Sequence, residues 1–400
     1  MEKRSRYSRN FKLLLAGANI NNISTSMMLV LFPWIILTLT NSSFLAGIEL
    51  ALSDIPLLFS FLVGYYLTKV KRKKAIYVVT TGVRALTLLF IFFVFLTGNE
   101  IYELVSIFIG YFITSWTEDV GGQISNYWIK DFLAEDQYKR ATSLSHILSM
   151  VIYLISYILA GAFIAIGIGF AFPVLILGFA LATIIHIFIQ PKSYEIQNEQ
   201  RHSLRDGFSF IWKNKILRIL MVEMLLISLG FGGFIILIES LVKFRYGGSS
   251  FILTSLLVGA MIGGIFGAKL GGKIRGNPKV FLSTMIFIQI IIVVIIPFIP
   301  SYVWLIPDFF ILQLTNSAHN VIFSTLFLKA TPKDYMMQIS GAHKTLALFP
   351  AVISSLIIGA IVEFVSLDVT FYFIAILTGI TFCFVFTSGE LGKISLKEQS

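Results

Sequence analysis

The sequence predicts an all-α polytopic membrane protein of twelve transmembrane helices arranged as two pseudo-symmetric six-helix bundles. Three observations carry this. The 400 residues are 56% hydrophobic and only 13% charged, with mean hydropathy +0.86, where an ordinary soluble chain has roughly 25% charged residues. The apolar material falls into blocks of about 20 residues, the length that crosses a hydrocarbon core of roughly 30 Å. A polar stretch from Gln190 to Arg218 lies near the middle and leaves six such blocks on either side.

The net charge of +10 would suggest nucleic acid in a soluble protein, but its placement points to a membrane instead. Basic residues gather before the first span (Lys3, Arg4, Arg6, Arg9, Lys12), after the second (Lys69 to Lys74), after the fourth and in the central linker. They gather again after the eighth, tenth and twelfth spans. Only Lys243 and Arg245 sit in a loop on the other side, and Arg84 lies inside a span. By the positive-inside bias both termini are cytoplasmic, and the expected location is the cytoplasmic membrane. The single cysteine, Cys383, excludes a disulfide framework and a Cys-based metal site. The first apolar run, interrupted by Asn19, Asn21 and Asn22, is too long for a signal peptide and is expected to remain as span 1.

Taken in order, span 1 runs from Leu13 to the break at Thr40-Asn41-Ser42-Ser43. Span 2 covers about Phe44 to Thr68 and carries Glu49, Asp54 and Pro56. Span 3 covers about Ala75 to Leu96, and span 4 begins after Glu100 and Glu103 and ends near Gln123. Between Ile147 and Gln190 no Asp, Glu, Lys or Arg occurs, which gives spans 5 and 6 with a short turn around Gly167 to Pro173. Span 7 covers about Ile216 to Leu241 and span 8 Ser250 to Gly272. Pro297 and Pro300 separate spans 9 and 10, Pro332 ends span 10, and spans 11 and 12 meet near Asp368. The expected domains are residues 1–190, a cytoplasmic linker 191–215, a second bundle 216–389 and a cytoplasmic tail 390–400.

The halves echo one another. Asn41-Ser42-Ser43-Phe44 opening span 2 has a counterpart in Gly248-Ser249-Ser250-Phe251 opening span 8, and Gly64 with its basic run recurs as Gly271 with Lys273, Arg275 and Lys279. Parallel repeats of six spans imply bundles related by an axis along the membrane normal, with substrate bound near the midplane. The glycines of span 8 (Gly259, Gly263, Gly264, Gly267, Gly271, Gly272) form a smooth face for close helix approach.

With this layout the chain resembles the major facilitator superfamily, specifically the drug-efflux branch with macrolide exporters and transmembrane secretion effectors. The residues that carry the resemblance are Asn10-Phe11-Lys12-Leu13-Leu14, Phe32-Pro33-Trp34, Lys139-Arg140-Ala141-Thr142-Ser143-Leu144, Asp206-Gly207-Phe208 and Pro332, together with the turn after span 2. In that turn Gly64, Lys69 and Arg72 match the family's conformational element, while Thr68 replaces its acid and Lys71 its second glycine. Ser156-Tyr157 stands where the branch's antiporter signature has Gly-Pro. The resemblance implies alternating access, with spans 1 and 10 bordering the central cavity.

An ionisable residue inside a span costs at least about 2.5 kcal/mol at the helix centre, so it faces a partner or a wet cavity. Asp54 lies about ten residues into span 2, about 15 Å deep at 1.5 Å per residue, and Arg84 reaches a comparable depth from the other face. A coupled pair is expected, joined by Glu118 or Asp119. Asp54 is either a proton-titrating acid or half of a static pair. Trp116, Asp119 and Gln123 fall on one face of span 4 and could meet an amphipathic or cationic substrate through charge and cation–π contacts. Glu223 is the leading acid of the second half, whereas Glu239, Asp308 and Glu363 are expected near the outer ends, in solvent. Asn19, Asn22 and Ser26 share a face of span 1, and Gln313, Asn316 and Asn320 one of span 10, with His319 beside it. Such stripes either glue helices or line a cavity, and the resemblance implies lining.

These features predict a secondary transporter, not an enzyme: a proton-coupled multidrug or macrolide-like efflux antiporter of small amphipathic molecules. It would work as a monomer with protons, substrate and lipid as its partners. No nucleotide-binding loop of the G-x-x-x-x-G-K-[ST] type occurs, the five histidines show no ligand spacing, and no cofactor or metal is expected. Two other readings stay open: import or export of another small solute such as a siderophore or metabolite, and a non-transporting receptor on the same fold.

Overall fold

A computed structural model describes residues 7–68, 70–133, 135–191, 204–331 and 336–393. In chain order the helices are α1 (Arg9–Thr40), α2 (Ser43–Leu58), α3 (Ser60–Thr68), α4 (Lys73–Phe95), α5 (Glu100–Phe132), α6 (Glu135–Ile166), α7 (Ala171–Ile187) and α8 (Leu204–Lys213). They continue as α9 (Lys215–Phe231), α10 (Phe234–Arg245), α11 (Ser250–Gly271), α12 (Pro278–Ile295), α13 (Tyr302–Ala330), α14 (Met336–Phe364), α15 (Leu367–Thr387) and α16 (Gly389–Gly392). Helices are what a bilayer demands, because backbone groups in hydrocarbon must be satisfied within the segment. Among the described residues nine segments are long and apolar enough to span by composition alone. The α2–α3 pair, α5 and α13 occupy the other three predicted spans.

Short polar residues set the helix starts. Asn99 Oδ1 accepts from the N–H groups of Ile101 and Tyr102 at 3.2 Å to open α5, Asn214 does the same for α9, and Asn277 accepts from the Lys279 N–H to open α12. Ser249, Ser301 and Ser366 cap α11, α13 and α15. Each satisfies amide donors that a helix end otherwise leaves bare.

The chain separates into two compact units, Met1–Ile35 with Ile55–Glu199 and Ile36–Asp54 with Gln200–Ser400. In the first, α4 packs on α5 and α7 and α3 on α5. Ser24 on α1 donates its hydroxyl to the Leu175 carbonyl of α7, and Ser156 on α6 donates to that of Ile23. At one end Phe11, Leu14, Tyr77, Ile124, Trp128 and Ile189 form a buried cluster, with Trp128 edge-on to Tyr77 at 5.0 Å.

In the second unit the tightest pair is α11 on α13. A Cβ at Gly263 or Gly267 would run into the carbonyl oxygen of Phe310 or Leu314, and one at Gly271 would stand 2.8 Å from that of Ala318. Gly259, Gly263, Gly264, Gly267 and Gly271 thus face α13 as their spacing predicts, whereas Gly272 is exposed and meets only its own helix. The segment 36–54 packs here as well: Ser43 and Ser240 share a hydroxyl hydrogen bond at 2.8 Å, Gly47 and Gly359 approach each other closely, and Glu363 accepts from the Phe44 N–H at 2.7 Å and from the Ser42 hydroxyl. A carboxylate over the first turn of α2 complements its dipole.

Several boundaries differ from the sequence expectation. Span 2 is two helices broken at Phe59, whose N–H bonds the Pro56 carbonyl three residues back at 3.1 Å instead of continuing the four-residue ladder. Span 7 is interrupted at Gly232-Gly233, where Ala351 and Ser355 of α14 approach the glycine backbones too closely for a side chain, and the Ser354 hydroxyl accepts the freed N–H of Gly233 at 3.2 Å. Span 4 does not end at Gln123 but continues to Phe132, because Ile124, Trp128 and Phe132 keep burying apolar surface. Beyond span 12, α16 buries Leu391 in the core of the second unit. Hydrogen bonding from Lys393 and the nearby charge of Lys215 hold the Glu390 carboxyl below the usual carboxylate range.

Candidate functional site

Arg84 lies deep in the first unit, 4% exposed. Its Nη1 donates to Asn21 Oδ1 at 2.7 Å, its Nε donates to Thr117 Oγ1 at 3.2 Å, and Glu118 Oε2 stands 4.0 Å away. The ring of Phe179 is 5.7 Å from the guanidinium carbon. A buried cation needs this much company, since the cost of desolvating it exceeds what one distant carboxylate returns. Within its own unit Arg84 is met by Asn21, Thr117 and Glu118, the last of which the sequence offered as a partner, while Asp54 falls in the second unit. Asn21 was legible only as a polar interruption of span 1. It sits one residue away from the Asn19, Asn22 and Ser26 stripe and points to a different neighbour.

Asp119 is a separate feature. It is 4% exposed, and its Oδ1 accepts from the Ser60 hydroxyl at 2.7 Å, while the Gln123 amide donates to the Ser60 hydroxyl at 2.7 Å and to its carbonyl. Asp119 and Gln123 therefore tie α5 to the first turn of α3. Trp116, expected on their face, is 40% exposed with Phe112 beside it at 6.4 Å. Asn19 and Asn22 are half-buried and Ser26 is buried.

In the second unit, Gln313, Asn316 and Asn320 form an amide ladder along α13, Asn316 donating to Gln313 at 3.3 Å and Asn320 to Asn316 at 3.4 Å. His319 turns away from this ladder. It is 2% exposed, and its Nε2 meets Glu223 Oε1 of α9 at 2.7 Å, with Glu223 fully buried. Two residues assigned from sequence to different tasks thus form one buried pair joining α9 to α13.

A family model described as Major Facilitator Superfamily matches residues 14–355. The chain belongs to the Major Facilitator Superfamily. Solved structures of similar fold include the nucleoside transporter NupG (16% identity, TM-score 0.71, covering 97% of this chain and 100% of that one). A bacterial homologue of the human lysosomal transporter Spinster, in an inward-facing and unoccupied conformation, aligns at 14% identity and TM-score 0.72, covering 96% and 97%. The E. coli fucose:proton symporter FucP aligns at 13% identity and TM-score 0.63, covering 94% and 97%. No curated protein matches the chain. It is a multi-pass membrane protein and a secondary transporter of this superfamily.

Of the superfamily's conformational turn, Gly64 lies within α3 and Arg72 is the exposed residue preceding α4. Lys69 and Pro332 fall outside the described residues. Asp54 is half-buried on α2, and no described cation pairs with it. This superfamily chain also holds two acids that sequence reasoning left aside. Glu239, expected in solvent, is fully buried, because α10 continues the span beyond the Gly232-Gly233 break and packs on α14. Glu49 is fully buried as well. Its signal was available: it is the first charged residue after Lys12.

Proposed function

We propose that this transporter exports small amphipathic molecules across the cytoplasmic membrane in exchange for protons, with both termini in the cytoplasm. The carrying observation is Asp54, a half-buried acid in a membrane-spanning helix with no described cation to balance it. Its charge must be met by a proton or by water, which is the condition for a carboxyl that titrates during a transport cycle. Export in the drug and macrolide branch is supported by the motif order in spans 1, 2 and 5. An amphipathic cargo is supported by the exposed aromatic pair Phe112 and Trp116 on α5. Basic loops support the orientation.

Reconstituted protein should move a lipophilic cation against its gradient when an opposing pH gradient is imposed. Asp54→Asn should lower that driven flux by about 5- to 150-fold, the usual span of a coupling free energy, while exchange at zero gradient persists. Flux indifferent both to the pH gradient and to Asp54→Asn would remove the proton-coupled reading.

A further inference from the structure

We infer that Glu49 and Glu239 form a sealed two-carboxyl site that holds a proton in the seam where Ser43 of α2 meets Ser240 of α10. The role this gives them in transport rests on the proton-coupled reading above; the site itself does not.

Both side chains are fully buried, and none of their four carboxyl oxygens makes a hydrogen bond among the described residues. They come from different helices that are fastened together at the Ser43–Ser240 hydroxyl contact, one residue from Glu239 and six from Glu49. They lie close enough for the charge of one to act on the other, and Asp54 acts likewise on Glu49.

The surroundings offer no compensating cation among the described residues. On α10, Lys243 lies one turn from Glu239, but its ammonium is taken by the Leu37 carbonyl, and Arg245 is taken by Asp368 and the Pro297 carbonyl. On α14 the groups beside α2 and α10 are Ser354, Ser355 and the exposed Glu363 that caps α2. Segment 13–40 of α1 carries no charge. On α11 the one charge, Lys269, is in the last turn, and on α13 the acid of the same half is Asp308, itself with a buried unpartnered oxygen. Two bare carboxylates in such a place would repel each other with no solvent to screen them, so at least one must carry a proton.

A metal ion is the less suitable occupant. No third His, Cys, Asp or Glu completes a metal-holding group among the described residues, and the hydroxyls of Ser43 and Ser240 satisfy each other. The proton sits on one of the two carboxyls and so removes one of the two charges from the seam. Asp54, half-buried five residues further along α2, is the more open neighbour from which that proton is supplied. Losing it would set two anions against each other in a dry seam and part α2 from α10.

Infrared difference spectra of the full-length protein in liposomes test the site without any transport. Wild type should show a protonated-carboxyl C=O band at neutral pH that Glu49→Gln and Glu239→Gln each diminish, while Glu49→Asp shifts it. If either glutamine variant aggregates, the Glu49→Asp shift decides. A wild-type spectrum without the band, a band unchanged in all three variants, or a band in wild type abolished by sodium ions would overturn the proposal. Because no flux is read, this failure is distinct from that of pH-driven transport, which would leave the band in place.

Discussion

Gly267→Leu should leave no monodisperse folded protein after detergent extraction at temperatures where wild type survives. The Cβ alone would occupy the position of the Leu314 carbonyl oxygen, and Gly263 is in the same relation to Phe310. A backbone carbonyl in the middle of a helix cannot rotate aside, so α13 must move off α11 along a seam that also includes Gly259 and Gly271. Overpacking typically costs about 1–3 kcal/mol and sometimes more, and a branched side chain against backbone belongs at or above the top of that range. Gly379→Ala, with nothing within 4 Å of the added methyl, is the control and should stay within about 0.5 kcal/mol of wild type. Thermal denaturation followed by size-exclusion chromatography measures both. Equal melting of Gly267→Leu and wild type would refute the seam.

Glu223→Ala is the second large effect. It strands His319 at 2% exposure without the oxygen that its Nε2 meets at 2.7 Å. Loss of a neutral buried hydrogen bond costs about 1–3 kcal/mol, and loss of one member of a buried ion pair about 3–5 kcal/mol. The same thermal assay therefore reports the charge state of the pair along with its existence. Glu223→Gln keeps the shape and a hydrogen-bonding oxygen and should recover most of the loss. A Glu223→Ala protein as stable as wild type would mean that α9 and α13 are held by apolar packing alone.

Much of the fold could be read because the bilayer leaves the backbone few options. Apolar block length gives the spans, Asn and Ser caps mark their starts, and glycine spacing on span 8 indicates close approach to a partner. Direction within the bundle was harder to read. Periodicity puts Asn19, Asn22 and Ser26 on one face but does not say that Asn21, one residue off that face, is the group Arg84 needs. Depth counted from a span's end placed Glu239 in solvent, and the helix interruption at Gly232-Gly233 could not be anticipated from a glycine pair that is equally at home in a smooth helix. Pro56 was visible, but the assignment of residues 36–54 to the second unit depends on contacts of Ser43 and Gly47 with α10 and α14, residues roughly 200 and 300 positions away. Non-local pairing of that kind leaves no local pattern.

The packing of residues 36–54 with the second unit bears on how the gene could be divided. A fragment beginning at Leu204 would contain every helix of the second bundle yet lack the strip that covers Ser240 and Glu239 on α10 and Ser355 and Gly359 on α14. Such a half-gene product would carry an unsatisfied groove, and supplying the complementary fragment in the same cell would be its natural remedy. The point where the polypeptide can be cut in sequence is not the point where it comes apart in space.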